Sequence, residues 1–116
     1  MSTNLANIHP EAKIGKDVII SPFTTIEADV EIGDGTWIGP NVTIMNGARI
    51  GKNNQIFPGA VISAIPQDLK FQGEKTTVEI GDNNVIQAGM IVDKDVKDDT
   101  TVFHRFKEKV LAIPKP

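Results

Sequence analysis

Few side chains in this chain of 116 residues are suited to acid–base or group-transfer chemistry. There is no cysteine, which excludes thiolate nucleophiles and disulfides and leaves the redox compartment undecided. Histidine is the commonest general base, and two are present, His9 in Ile8-His9-Pro10 and His104 near the end. His9 suits a capping or surface role better than catalysis. His104 is the one weak candidate for a base. The densest run of other useful groups is Gln67-Asp68-Leu69-Lys70, with an amide, a carboxylate and an ammonium close together. By composition alone that run reads as a solvated loop.

These residues are positioned by a ladder. Ile8, Ile14, Ile20, Ile26, Ile32, Ile38, Ile44, Ile50, Ile56 and Ile62 recur every sixth residue, and the phase resumes at Ile80, Ile86 and Val92. Two residues before each rung stands a smaller or β-branched side chain: Ala12, Val18, Thr24, Val30, Thr36, Val42, Ala48, Asn54 and Ala60, then Val78, Asn84 and Met90. Two inward positions two apart give the strand period. Between them fall turn residues, as in Ile32-Gly33-Asp34-Gly35 and Ile50-Gly51-Lys52-Asn53. Three such sides close a triangular coil of about 18 residues, and coils stack about 4.8 Å apart as parallel strands. The expected fold is all-β: a parallel β-helix of hexapeptide repeats over 1–102, with a short C-terminal cap and tail over 103–116. Aromatics are only 5% of the chain, and β-branched rungs fill such a core without them.

A net charge of −3 and a pI near 5.3 argue against a nucleic-acid partner. No apolar run approaches the roughly 20 residues of a membrane span. Residues Met1 to Ala6 are too polar for a secretory signal, so the expected location is cytoplasmic.

Numbered around an 18-residue coil, the residues just before the third-column rungs point outward and are Ile19, Trp37, Gln55 and Ile91. Their apolar character predicts an interface, with Ile19, Trp37 and Ile91 packed in a homotrimer. Ser63 to Thr77 interrupts the ladder, and Pro66 and Gly73 punctuate it. It is expected to leave the coil as an extruded loop, and long loops on rigid scaffolds tend to be functional. Its length is close to one coil, so the phase is expected to carry across it. That count puts Ile80 above Ile62, Ile86 above Ile50 and Val92 above Ile56. Near the end, Val96 and Val102 fall on the small-residue ladder, while Asp98 and His104 stand at rung positions. Phe103, Phe106, Val110 and Leu111 have roughly helical spacing, suited to a cap over the open end.

The period resembles that of the hexapeptide-repeat transferases, and left-handedness is what this resemblance implies. The general rule for parallel crossovers would give a right-handed coil. More specific are Ile8-His9-Pro10-Glu11-Ala12-Lys13-Ile14-Gly15, Val30-Glu31-Ile32-Gly33-Asp34-Gly35-Thr36, Gln67 through Glu74, and Val78-Glu79-Ile80-Gly81-Asp82. About the first 82 residues resemble the N-terminal part of the UDP-N-acetylglucosamine acyltransferases, the first enzymes of lipid A synthesis. The resemblance implies a cytoplasmic homotrimer with its site between subunits. It implies transfer of a 3-hydroxyacyl group from acyl carrier protein to the sugar 3-hydroxyl, without a cofactor. It also implies that Gln67, Asp68 and Lys70 contact the nucleotide sugar. Lysine and amide donors suit phosphate and sugar oxygens, and a carboxylate accepts from hydroxyls or orients a base.

From Asn84 to Val96 the sequence departs from that family, and the family's histidine-rich catalytic stretch is not found. The reading is therefore an acyltransferase-like β-helix with impaired catalysis. The alternative is a non-catalytic or engineered minimal scaffold, or a UDP-sugar binding protein. A zinc β-helix enzyme such as a γ-class carbonic anhydrase needs three histidines, so no metal is expected. An ice-binding face needs an outward threonine array, which Thr25 and Thr43 begin but Val61 and Glu79 do not continue.

Overall fold

A computed structural model describes residues 5–63, 77–104 and 110–114, with the side chains of His104 and 110–114 outside the description. The strands are β1 (Asn7–Ile8), β2 (Lys13–Ile14), β3 (Ile19–Ile20), β4 (Thr25–Ile26), β5 (Glu31–Ile32), β6 (Trp37–Ile38), β7 (Thr43–Ile44), β8 (Ala48–Ile50), β9 (Gln55–Ile56), β10 (Val61–Ile62), β11 (Val78–Ile80), β12 (Val85–Ile86), β13 (Ile91–Val92), β14 (Thr100–His104) and β15 (Val110–Pro114). They form the three sides of a prism. The first sheet is β1-β4-β7-β10-β13, the second β2-β5-β8-β11, and the third β3-β6-β9-β12-β14-β15. Every pairing is parallel except that of β14 with β15.

The isoleucines stack inside, as their spacing demands. Ile38, Ile44, Ile56, Ile62 and Ile86 are fully buried, and the small ladder packs between them at Val42, Ala48, Ala60 and Val78. Burying each large rung contributes roughly 1.5–3 kcal/mol. The backbone is satisfied along the prism axis: the N–H of His9 donates to Ile26 O at 2.9 Å and that of Gly33 to Ile50 O at 2.7 Å.

Sharp corners make the six-residue side feasible. Three residues after each second-sheet rung the backbone is left-handed, with φ of 56° at Asp17, 73° at Gly35, 55° at Asn53, 59° at Asn83 and 57° at Asp99. Asn, Asp and Gly are the residues that tolerate this region best. Gly33 has a different constraint. A Cβ there would lie 2.6 Å from the carbonyl carbon of Gly51 in the next coil.

Four expectations need correction. First, Ile80 pairs with Ile50, Ile86 with Ile56 and Val92 with Ile62. Ile44 to Ile50 is six residues and Ile62 to Ile80 is eighteen, so twelve extra residues leave at this corner. The chain then resumes on the next side, not one coil later. Second, Ile91 therefore lies beside Val61 on the first sheet, not with Ile19 and Trp37. The outward third-sheet column is Ile19, Trp37, Gln55, Val85 and Thr101.

Third, Val96 and Val102 are themselves rungs, paired with Ile80 and Ile86. Only four residues separate Val92 from Val96, so the corner has lost two and the phase shifts. Fourth, of the residues with helical spacing, Phe103, Val110 and Leu111 lie in strands, and Phe106 lies outside the described residues. The register with β12 draws Thr100–His104 into the third sheet, and β15 pairs antiparallel along its free edge, from Thr100↔Pro114 to His104↔Val110. An unpaired edge favours a strand over a helix there.

Candidate functional site

The extra residues leave at the corner joining the first and second sheets. Gln67, Asp68 and Lys70 lie outside the described residues, but both roots of their segment are fixed. The N–H of Ser63 donates to Val92 O at 2.9 Å, and that of Val78 donates to Gly47 O at 3.0 Å. The N–H of Glu79 donates to Asp95 Oδ1 at 2.8 Å. The segment is thus anchored between the coil below and the coil above.

Below the roots, the same corner carries a polar network. The Asn46 N–H donates to Glu27 Oε1 at 2.8 Å, and Asn46 Oδ1 accepts the Asp29 N–H at 2.9 Å. Arg49 reaches back from β8 and donates to the Asp29 carboxylate at 2.8 Å and to the Asp29 carbonyl at 2.9 Å. Its Nε is 3.5 Å from Glu31 Oε2. A shallow groove passes from Glu31 and Arg49 to Glu79 and Gly81 on this face. Re-registration makes the outward second-sheet column Lys13, Glu31, Arg49 and Glu79, which alternates in sign. The alternation was visible in the sequence, but the wrong register across the interruption had placed Glu79 on another side.

The Arg49–Asp29 pair is partly exposed, with side-chain exposures of 23% and 38%. Arg49→Ala should therefore lower stability by no more than about 1 kcal/mol, and the loss should shrink in high salt. Urea unfolding at low and high ionic strength checks both.

His9 stands at the equivalent corner of the first coil. Its Nδ1 accepts the Glu11 N–H at 3.1 Å, which is a local cap. His104 has its backbone in β14 opposite Val110, and its side chain lies outside the described residues.

The candidate interface residues separate into two groups. Ile19 is 53% exposed and pairs with Trp37, whose ring stands edge-on to Phe57 with centroids 5.3 Å apart. Ile91, 56% exposed, belongs to the first sheet. Between these two sheets runs a corner that the sequence reading overlooked. Pro22, Pro40 and Pro58 stack there, the carbonyls of all three accepting N–H groups of the adjacent coil, from Asn41, Gly59 and Gly89. Their signal was the spacing of eighteen between successive prolines.

A family model described as bacterial transferase hexapeptide (six repeats) matches residues 29–64. The chain carries a hexapeptide-repeat domain. The hexapeptide coil is left-handed. Two-residue strands carry too little twist to enforce the usual right-handed crossover. The chain is 44% identical over 97 residues to the acyl-(acyl-carrier-protein)–UDP-N-acetylglucosamine O-acyltransferase of Chlamydia pneumoniae, covering 84% of this chain and 35% of that protein. It is similar to the solved UDP-N-acetylglucosamine acyltransferase of Bacteroides fragilis, with a TM-score of 0.84 and 50% identity over 87% of this chain and 43% of that one. For the Francisella novicida acyltransferase the TM-score is 0.75 and the identity 42%, over 78% and 33%. The hexapeptide chain spans about a third of the length of the curated relatives it matches.

Proposed function

We propose that this chain is an acyltransferase-like β-helix that holds a UDP-N-acetylglucosamine-type nucleotide sugar at the segment leaving its first-to-second-sheet corner. Gln67 and Lys70 donate to phosphate and sugar oxygens, and Asp68 accepts from sugar hydroxyls. One observation carries this reading. Relatives named for that sugar nucleotide match this chain at 44% identity over 97 residues, and its large insertion emerges at one corner with both roots anchored. The unit is a cytoplasmic homotrimer with Ile19 and Trp37 at the subunit contact. Ile91 takes part across the proline corner. Acyl carrier protein is the donor partner if acyl transfer occurs. No metal or cofactor is required.

Catalysis is impaired in this reading. The two imidazoles are His9, whose Nδ1 serves a turn, and His104 in β14. General-base assistance contributes typically 10²–10⁴-fold, so its loss would leave slow transfer. An acyl-carrier-protein thioester assay with UDP-N-acetylglucosamine tests this. Turnover near background is expected. Fast turnover abolished by His104→Ala would contradict impairment and make His104 the base.

A further inference from the structure

We propose that the terminal coil, Asp93 through His104 together with β15, opens as one unit separate from the coils beneath it, and that Asn84 sets how often. A buried polar ladder runs through the prism on the side leading into the third sheet. Asn54 shows how it is satisfied: its N–H donates to Thr36 Oγ1 at 3.3 Å and its Nδ2 to Gly81 O at 2.9 Å. Its Oδ1 accepts the Asn84 N–H at 2.8 Å. Asn84 stands in the same place one coil later, and its Oδ1 accepts the Thr100 N–H at 2.8 Å. That bond fixes the amide orientation. Its Nδ2, in a side chain of a residue only 1% exposed, has no partner.

The carbonyl corresponding to Gly81 O is that of Lys97, and the coil carrying it is two residues short. Ile80 to Val96 and Ile86 to Val102 are each sixteen residues, whereas Ile38 to Ile56 is eighteen. The same shortening reduces the second sheet at this level to a single bridge, Ile80↔Val96. The joint thus carries a buried donor without a partner, which costs about 1–3 kcal/mol. Lys97 also stands where four lower coils carry Gly15, Gly33, Gly51 and Gly81, and at each of these an added Cβ would collide with the next coil. Opening of this coil bares the edges of β11 and β12.

Native-state amide exchange on the full chain tests the proposal. The reporters across the joint are the N–H groups of Gly81, Val96, Gln87 and Asp99, bonded to Val96 O, Glu79 O, Val102 O and Asp82 O. They should exchange together, at least roughly ten-fold faster than Gly33, Trp37 and Gly39 in the middle of the stack. Asn84→Thr, which repeats the residue at Thr36 and Thr100, removes the unpaired donor. It should slow the four reporters roughly ten-fold and leave the middle unchanged. Equal protection at the joint and the middle would overturn the proposal. Early exchange that neither Asn84→Thr nor Asn84→Ser alters would overturn the role given to Asn84.

Discussion

Gly33→Ala should be among the most damaging single-methyl additions to this chain, lowering stability by about 3 kcal/mol or more. The added Cβ would meet the carbonyl carbon of Gly51 at 2.6 Å, its oxygen at 2.7 Å and the Lys52 nitrogen at 2.9 Å. All three are backbone atoms, so no rotamer change relieves the contact. The coils must separate locally, which strains the inter-coil hydrogen bond from the Gly33 N–H to Ile50 O. Gly89→Ala is the matched control. Nothing lies within 4 Å of its Cβ, and only its φ of 74° penalises a side chain. That cost is about 1–2 kcal/mol. Thermal unfolding of both variants should show the Gly33 change lowering Tm by more than roughly 10 °C and by more than the Gly89 change. The reverse order would mean that the coils are not stacked at the spacing described.

Trp37→Glu should have the second large effect, on assembly and not on folding. Trp37 points outward from β6, so its loss removes little from the isoleucine core. It forfeits the edge-on ring pair with Phe57, worth about 0.5–1.5 kcal/mol. At a subunit contact, an unpaired buried carboxylate costs about 2–5 kcal/mol at each copy. Sedimentation should therefore show trimer for the parent chain and folded monomer for the variant. Trp37→Phe should keep the trimer. A folded, unchanged trimer for Trp37→Glu would move the contact to the first sheet, where Ile91 is exposed, and Ile91→Glu would then dissociate it.

Most of the fold was legible in the sequence because a β-helix writes its geometry into a period. Ile8 through Ile62 never miss a sixth position, and each lies where the count places it. The errors came from corners, whose lengths the inward ladder does not record. Twelve extra residues stretch the gap from Ile62 to Ile80 to eighteen, the length of a coil, so the count places Ile80, Ile86 and Val92 two sides too late. The two residues lost before Val96 made true rungs look like the minor ladder. Glycine spacing held the missing information: Gly81 continues the column of Gly15, Gly33 and Gly51, which fixes Ile80 on the second sheet.

The candidate site was legible only as a stretch of chemistry. Its resemblance marked Gln67, Asp68 and Lys70, while the neighbouring network of Glu27, Asp29, Asn46 and Arg49 became visible only once coils were stacked. Those residues are nearly twenty apart in sequence and meet because each coil returns to the same corner. The stacked prolines at 22, 40 and 58 are legible by the same count of eighteen, but they mark a corner and not an inward rung.

Recognition of a nucleotide sugar by the segment between Ser63 and Val78, as proposed, is open to calorimetric titration of UDP-N-acetylglucosamine into the full chain. Saturable binding is expected, weakened roughly ten-fold or more in Lys70→Ala through loss of a charge-assisted contact to phosphate. A flat titration of the folded parent chain, or binding that Lys70→Ala leaves unchanged, would contradict it.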